Sequence, residues 1–301
     1  MFRAFIQASR PLAQANIATP LVFGQAVAWA MTGAFDLYIA IFVHLIGVLD
    51  QLFIVYANDV ADADADAVNE APTLFSGGSR VLPEGKLSRN VLGAAAVVMG
   101  LGMIAGAFWA TTAWHRPFAP VFIASGIFLL WGYSFGPLRL SYRGDGEVLQ
   151  GLGVGVILPT FAYYMQTGSL DAMPMEVLGA TFLLGYGGNV TTALPDYPAD
   201  RKTNKRTVPV RLGELQARWV SLAVLATASF MALDTGPELP LTTAMMVASG
   251  PLVLLLLNIP GIGEANADNR RACMRFVILN AGAINALLIA WTVALLLRAG
   301  P

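Results

Sequence analysis

The chain is short of charge. Of its 301 residues only 12% are Asp, Glu, Lys or Arg, against 56% hydrophobic, where a soluble domain carries roughly 25% charged residues. That balance excludes an ordinary soluble globule and points to a protein embedded in a membrane. Cysteine is nearly absent too. Cys273 stands alone, so no intramolecular disulfide framework is possible, and it reads as a packing residue. No low-complexity tail or interdomain linker interrupts the sequence. The stretch up to Thr19 carries Arg3 and Arg10 but no short apolar core with a cleavage site, so it reads as an interfacial helix rather than a removed signal. The expectation is one membrane domain over residues 1–301, with the lipid bilayer as a partner and no nucleic acid.

What is abundant is apolar sequence in blocks. A bilayer core needs about 20 mostly apolar residues per helix. Nine stretches qualify: 15–34, 37–57, 91–112, 118–134, 148–167, 176–194, 215–233, 240–258 and 275–297. Several contain Gly or Pro, which membrane helices tolerate. The basic residues then sort by side. All fall on one face except Arg116 and Arg298. Positive-inside bias places that face, and the N-terminus, in the cytoplasm and the C-terminus outside. In a bacterium the membrane would be the inner, cytoplasmic one. The long loops, at 58–90, 135–147, 195–214 and 259–274, lie on the basic face. The loops at 33–36, 113–117, 168–174 and 234–240 are short. Function is expected where loops are long and polar.

Two acidic clusters sit on that face. Asn58, Asp59, Asp62, Asp64 and Asp66 follow the second stretch, and Asp196 and Asp200 follow the sixth. Read as a helical extension, Asn58, Asp62 and Asp66 recur every four residues and share one face. Asp59 lies near Asp66, while Asp64 points elsewhere as a solvated charge. Oxygen ligands stacked in this way suit Mg²⁺, a hard cation held by a few carboxylates together with phosphate oxygens. Asp196 and Asp200 repeat the four-residue spacing. Pro195 should break the sixth helix, so that Asp196 starts a fresh turn. Two such clusters far apart in sequence point to a divalent-metal site for a polyphosphate. The plainer reading is a solvated helix end and an ordinary loop.

Cations suited to phosphate lie nearby. Lys205 and Arg206 follow Asp200, and Arg80 and Lys86 follow the first cluster. Arg binds phosphate through a planar fork and Lys as a point charge. The segment from Phe75 to Arg80 contains Gly77 and Gly78, which would let backbone amides approach a ligand. Asp50 and Asn189 are polar residues inside apolar stretches, two turns before Asn58 and seven residues before Asp196. Both should line a pocket beneath the metal site, since ionisable groups within spans face cavities. Asp50 would orient or deprotonate a second substrate, with interhelical hydrogen bonding as the alternative.

At these residues the sequence resembles the UbiA superfamily of intramembrane prenyltransferases. The superfamily's first motif, Asn-Asp-x-x-Asp-x-x-x-Asp, maps onto Asn58, Asp59, Asp62 and Asp66, and its second, Asp-x-x-x-Asp, onto Asp196 and Asp200. The likeness extends to Arg10-Pro11, Ser76 to Gly85, Tyr133 to Glu147, and Lys205 through Gly213. Tyr142 through Glu147 and Lys205 through Gly213 look most like the 1,4-dihydroxy-2-naphthoate prenyltransferase branch. The resemblance implies an all-α integral membrane protein, with about nine helices around a central cavity and cytoplasmic cap loops or short helices. It also implies Mg²⁺-dependent transfer of a polyprenyl group from an allylic diphosphate to an aromatic acceptor, a quinone precursor. Tyr142 and Arg143, in the matching segment, join the candidate substrate contacts. Pro198 inside the second motif and the pair Asp50-Gln51 depart from the family pattern and bear on the acceptor.

Two rivals keep or change the fold. A UbiA-type terpene cyclase would ionise the same diphosphate without an acceptor. A cation-coupled transporter would place its acids near the bilayer midplane, whereas these clusters lie at one face.

Overall fold

A computed structural model describes residues 1–69, 72–73, 76–233 and 239–298. Phe75, and most of the 234–240 loop, lie outside the described residues. Every regular element among the described residues is helical. A short α1 (Phe2–Ala8) precedes α2 (Ala15–Thr32), α3 (Leu37–Ala67), α4 (Arg89–Ala113) and α5 (Ala119–Ser134). Then come α6 (Gly146–Thr167), α7 (Val177–Ala193), and two short helices, α8 (Tyr197–Lys202) and α9 (Val208–Leu212). The last three are α10 (Glu214–Met231), α11 (Leu241–Leu256) and α12 (Arg270–Leu297).

The helices form a closed bundle. Helix α3 packs on α4 and α4 on α5, α7 packs on α10, and α11 packs on α12. Helix α2 lies against both α6 and α12, which joins the two halves. Close approach at these seams depends on missing side chains. A Cβ on Gly24 would sit 2.2 Å from the Pro159 carbonyl oxygen, and one on Gly155 would sit 2.2 Å from that of Thr181. Within α6, Gly151–Ile157 is a π-helical segment, a widened turn that often marks functional sites.

The outer faces are apolar. Leu45, Val97, Leu101, Phe108, Phe128, Val253 and Ile289 are exposed, as lipid contact requires. Among the described residues five helices are long and apolar enough to cross a membrane: α3, α4, α6, α12 and α11 with its continuation to Gly261. Each of the nine expected stretches coincides with a helix, but α2, α5, α7 and α10 fall short in length or apolarity, so nine crossings do not follow from composition alone.

Helix α3 is the element that places the first motif. The Asp36 carboxylate caps its start by accepting from the Tyr38 and Ile39 amides. The Ala-Asp repeat near its end supplies alanine, the strongest helix former, so the helix continues to Ala67. Its 31 residues extend about 46 Å, longer than a hydrocarbon core of about 30 Å. The acidic turns therefore belong to a projecting end.

Candidate active site

Asn58, Asp62 and Asp66 descend one face of α3 and line a cavity of about 120 Å³. Asp62 is 5% exposed and heavily partnered. Its Oδ2 accepts from the Asn58 amide at 3.2 Å and from Lys205 Nζ at 3.2 Å, and its Oδ1 from the Tyr142 hydroxyl at 3.1 Å. Burial, and then the Asp62 charge, push the Tyr142 hydroxyl up to about 12, so it stays a donor. Asp66 packs so closely on Gly78 that a Cβ there would meet its Oδ2 at 1.9 Å, and Gly78 has φ +68°. Arg80 donates to the Asp66 backbone carbonyl rather than to a carboxylate. Asp64 is solvated and pairs with Arg89.

The second motif closes the cavity from the opposite half of the bundle. Helix α7 ends at Ala193 and a new helix starts at Tyr197, with Asp196 at its N-cap. Asp196, Asp200 and Asn189 all line the cavity. Asp196 Oδ1 accepts from Asn69 at 2.8 Å and Oδ2 from the Gly77 amide at 3.3 Å. The loop after α3 thus touches both motifs. Asp200 accepts from the Thr207 hydroxyl at 3.1 Å. Burial pushes the Asp196 carboxyl up to about 6 although Lys205 pulls it down. It pushes Asp200 up to about 7. Burial alone would lower Lys205, but Asp62, Tyr133, Asp200 and Tyr142 hold its ammonium well above the usual range.

The cations are not the expected set. Lys205 lines the cavity, and so does Arg10, which in the sequence stood out as part of an interfacial helix and of the Arg10-Pro11 resemblance but not as a phosphate contact. Arg10 sits in a left-handed turn, φ 43°, between α1 and α2. One of its terminal nitrogens pairs with Asp59, while its Nε is buried without a partner. Lys86 points away, its Nζ bonded to Gln7 at 2.8 Å and to Glu84 at 2.6 Å. Arg206 and Arg143 are exposed, and Arg143 donates to the Pro137 carbonyl at 2.8 Å. Asp59 does not line the cavity. It is 3% exposed, and Arg10 together with the Ser79 hydroxyl and amide take up its oxygens. Its position three residues before Asp62 turns it about 60° around the helix. Spacing on a helix located the cavity-facing acids, but nothing in it fixed which way the loop cations turn.

Two chambers adjoin the acidic cavity. One, about 220 Å³, shares Asn58 and Tyr133 with it and extends down to Asp50, Gly126 and Ile157. The other, about 80 Å³, shares Asn189 and Thr192 with it and runs between α2, α6, α7 and α12. Asn16, Gln150 and Val154 border both chambers. Gln150 and Val154 flank or lie in the π-helical segment, whose wide turn spreads the chamber wall.

The donor set fits a hard divalent cation. Four carboxylates and the Asn58 amide surround one cavity, and the two cations lining it are already paired with Asp59 and Asp62. Burial is the first cause of the raised carboxyls of Asp196 and Asp200, and a bound cation would offset that cost of ionising them. Among the described residues no three His, Cys, Asp or Glu side chains converge enough to hold an ion jointly. Mg²⁺ in phosphate sites usually takes one or two carboxylates and completes its shell with water and phosphate oxygens.

Comparison with known proteins bears on the same residues. A family model described as the UbiA prenyltransferase family matches residues 17–279. The chain is 30% identical over 279 residues to a lycopene elongase/hydratase of Haloferax volcanii, covering 90% of this chain and 83% of the relative. It is 28% identical over 261 residues to a 1,4-dihydroxy-2-naphthoate octaprenyltransferase of Mycobacterium tuberculosis, covering 84% of each. Among solved structures, a UbiA homolog from Archaeoglobus fulgidus bound to DMAPP and Mg²⁺ superposes with a TM-score of 0.65 at 17% identity, over 98% of this chain and 99% of the other.

Proposed function

This chain belongs to the UbiA prenyltransferase family and is a prenyltransferase, and from that premise we propose that it moves a polyprenyl group from an allylic diphosphate to an acceptor held within the membrane. The observation that carries the reading is the ring of Asp62, Asp66, Asp196 and Asp200 with Asn58, Lys205 and Arg10 around one cavity. Asn58, Asp62 and Asp66 would hold one Mg²⁺, and Asp196 with Asp200 a second. Bound there, Mg²⁺ supplies Lewis-acid neutralisation of the departing diphosphate.

The protein's own groups do the rest. Lys205 presents a fixed positive charge, and the unpartnered Arg10 Nε is a donor free for a phosphate oxygen. Both are preorganised where leaving-group charge develops. Tyr142 holds Asp62 in place, and Asn189 lies at the mouth of the smaller chamber. The apolar chambers take the isoprenoid chain and keep water from the cation. This reading places nine spans in the membrane, as one domain, with the acidic face and N-terminus in the cytoplasm and the C-terminus outside.

Two acceptor classes have support. The naphthoate relatives favour an aromatic quinone precursor. The Haloferax relative favours elongation of a polyene. The cyclase alternative is not favoured, since these relatives are named for building on a second molecule. The test is pyrophosphate release by the purified protein in detergent with geranylgeranyl diphosphate and Mg²⁺, without acceptor and with either 1,4-dihydroxy-2-naphthoate or lycopene. Release that needs metal and acceptor supports transfer. Release that needs metal alone returns the cyclase reading.

A further inference from the structure

The larger chamber holds a carboxyl group with no counter-ion. Asp50 lies on α3 eight residues before Asn58, and both line this chamber. Asp50 also borders a small apolar recess walled by Ile46, Met103, Phe122 and Phe161. No hydrogen bond or ion pair engages its side chain among the described residues. No Lys, Arg or His lines the chamber, the recess or the second chamber. A carboxyl at such depth is costly to keep unless a ligand uses it. Structural service to a neighbouring helix would show as a hydrogen bond, and there is none.

We infer that the acceptor is an uncharged, hydrocarbon-like molecule, and that Asp50 takes the proton it sheds on prenylation. This rests on the acidic cavity being the diphosphate site. The absence of cations speaks against an acceptor bearing a carboxylate, which would meet Asp50 with nothing to offset the repulsion. The spacing suits the role. Eight residues set Asp50 about 12 Å along the axis from Asn58, which leaves room between diphosphate and carboxyl for the allylic carbon and the acceptor carbon it joins. The step balances as follows. The C1–O bond of the donor breaks and its electron pair leaves on diphosphate. The π pair of an acceptor double bond forms the new bond to C1, leaving a carbocation on the acceptor. The Asp50 carboxylate takes a proton from the neighbouring carbon, and the freed C–H pair restores the double bond. The proton later passes to water through the polar cavity. The net products are prenylated acceptor, diphosphate and one proton.

The test compares wild type with Asp50→Asn and Asp50→Glu, using geranylgeranyl diphosphate, Mg²⁺ and either lycopene or 1,4-dihydroxy-2-naphthoate. Pyrophosphate, prenylated alkene product, prenylated acceptor alcohol and prenyl alcohol are measured separately. Wild type should prenylate lycopene and not the naphthoate. In Asp50→Asn, pyrophosphate release should stay within about twofold, while the alkene product falls about 100-fold and a prenylated acceptor alcohol, from water captured by the acceptor cation, takes its place. A deuterium isotope effect should appear with acceptor labelled at the carbon that loses hydrogen, and Asp50→Glu should recover part of the transfer. Equal loss of release and product in Asp50→Asn, without an isotope effect, overturns the base assignment. Turnover of naphthoate but not lycopene overturns the acceptor class, as does release without transfer to lycopene. Absence of metal-dependent release in wild type overturns the diphosphate site itself, and the inference with it.

Discussion

The guanidinium of Arg10 is paired with Asp59, the one residue of the Asn58–Asp66 motif that does not line the acidic cavity. The pair spends one arm of Arg10 on α3 and leaves its buried Nε without a partner, on a residue that lines the cavity. Asp59→Asn should therefore weaken the fold and spare the metal. Breaking a buried pair costs about 3 kcal/mol, visible as a lower unfolding midpoint, while Mg²⁺ affinity stays within about threefold of wild type. A large loss of Mg²⁺ affinity with normal stability would return Asp59 to the ligand set. Arg10→Lys keeps charge but lacks Nε, and should raise the diphosphate KM about tenfold.

Asp62→Ala and Asp196→Ala remove one acid from each motif. Each should lower transfer by about 100-fold or more, with helicity and gel-filtration behaviour unchanged. Near-normal turnover in both would sink the assignment of this cavity.

Lys205 and Lys86 were equivalent in sequence and are not in space. Lys205→Met should lower turnover about 100-fold, because it removes the charge beside Asp62. Lys86→Met should leave turnover within about twofold, as an exposed pair contributes little. Arg206→Ala belongs with Lys86. Steady-state kinetics on the three variants decides the matter, and a Lys86 effect matching that of Lys205 would contradict the geometry.

Metal binding should fall as pH drops. Carboxylates must ionise to ligate, and burial pushes Asp196 up to about 6 and Asp200 up to about 7. Mg²⁺ binding near pH 6 should then release protons, and affinity should weaken below pH 6–7. Stability without metal has the opposite sense. Folded pKa values raised above the unfolded ones favour the protonated folded state, a contribution full below about pH 4 and lost as pH rises through 6–7. Calorimetry in buffers of different ionisation enthalpy checks the proton release. Uptake of protons on Mg²⁺ binding would show the sign to be wrong.

Gly78→Ala strikes both backbone and site. Its φ of +68° disfavours a side chain, and the added Cβ would displace the Asp66 carboxylate. Mg²⁺ affinity should fall about tenfold or more with a stability loss of about 1–3 kcal/mol. An unchanged affinity would mean that Asp66 adjusts freely.

What sequence made legible was what helical periodicity controls. Asn58, Asp62 and Asp66 share a face because four-residue spacing demands it, and the break at Pro195 follows from the missing amide. Side-chain direction in loops has no such rule. Lys86, Arg143 and Arg206 sit close to the motifs in sequence yet turn to Gln7, Pro137 and solvent. Arg10 meets Asp59 from 49 residues away and lines the cavity, and only the fold of α1 against α3 reveals it.

The contact between Lys205 and Asp62 spans 143 residues, and that between Asn69 and Asp196 spans 127. A ribosome adding 5–20 residues per second thus makes the first motif on the order of ten seconds before its counter-charge exists. Until then Asp59 and Asp64 can meet Arg10 and Arg89, but Asp62 lacks its lysine, so this end of α3 has to stay in water. The nascent chain consequently has a waiting period in which half of the site is displayed and idle. A message truncated before codon 205 would leave it permanently so, with Asp62 never meeting Lys205.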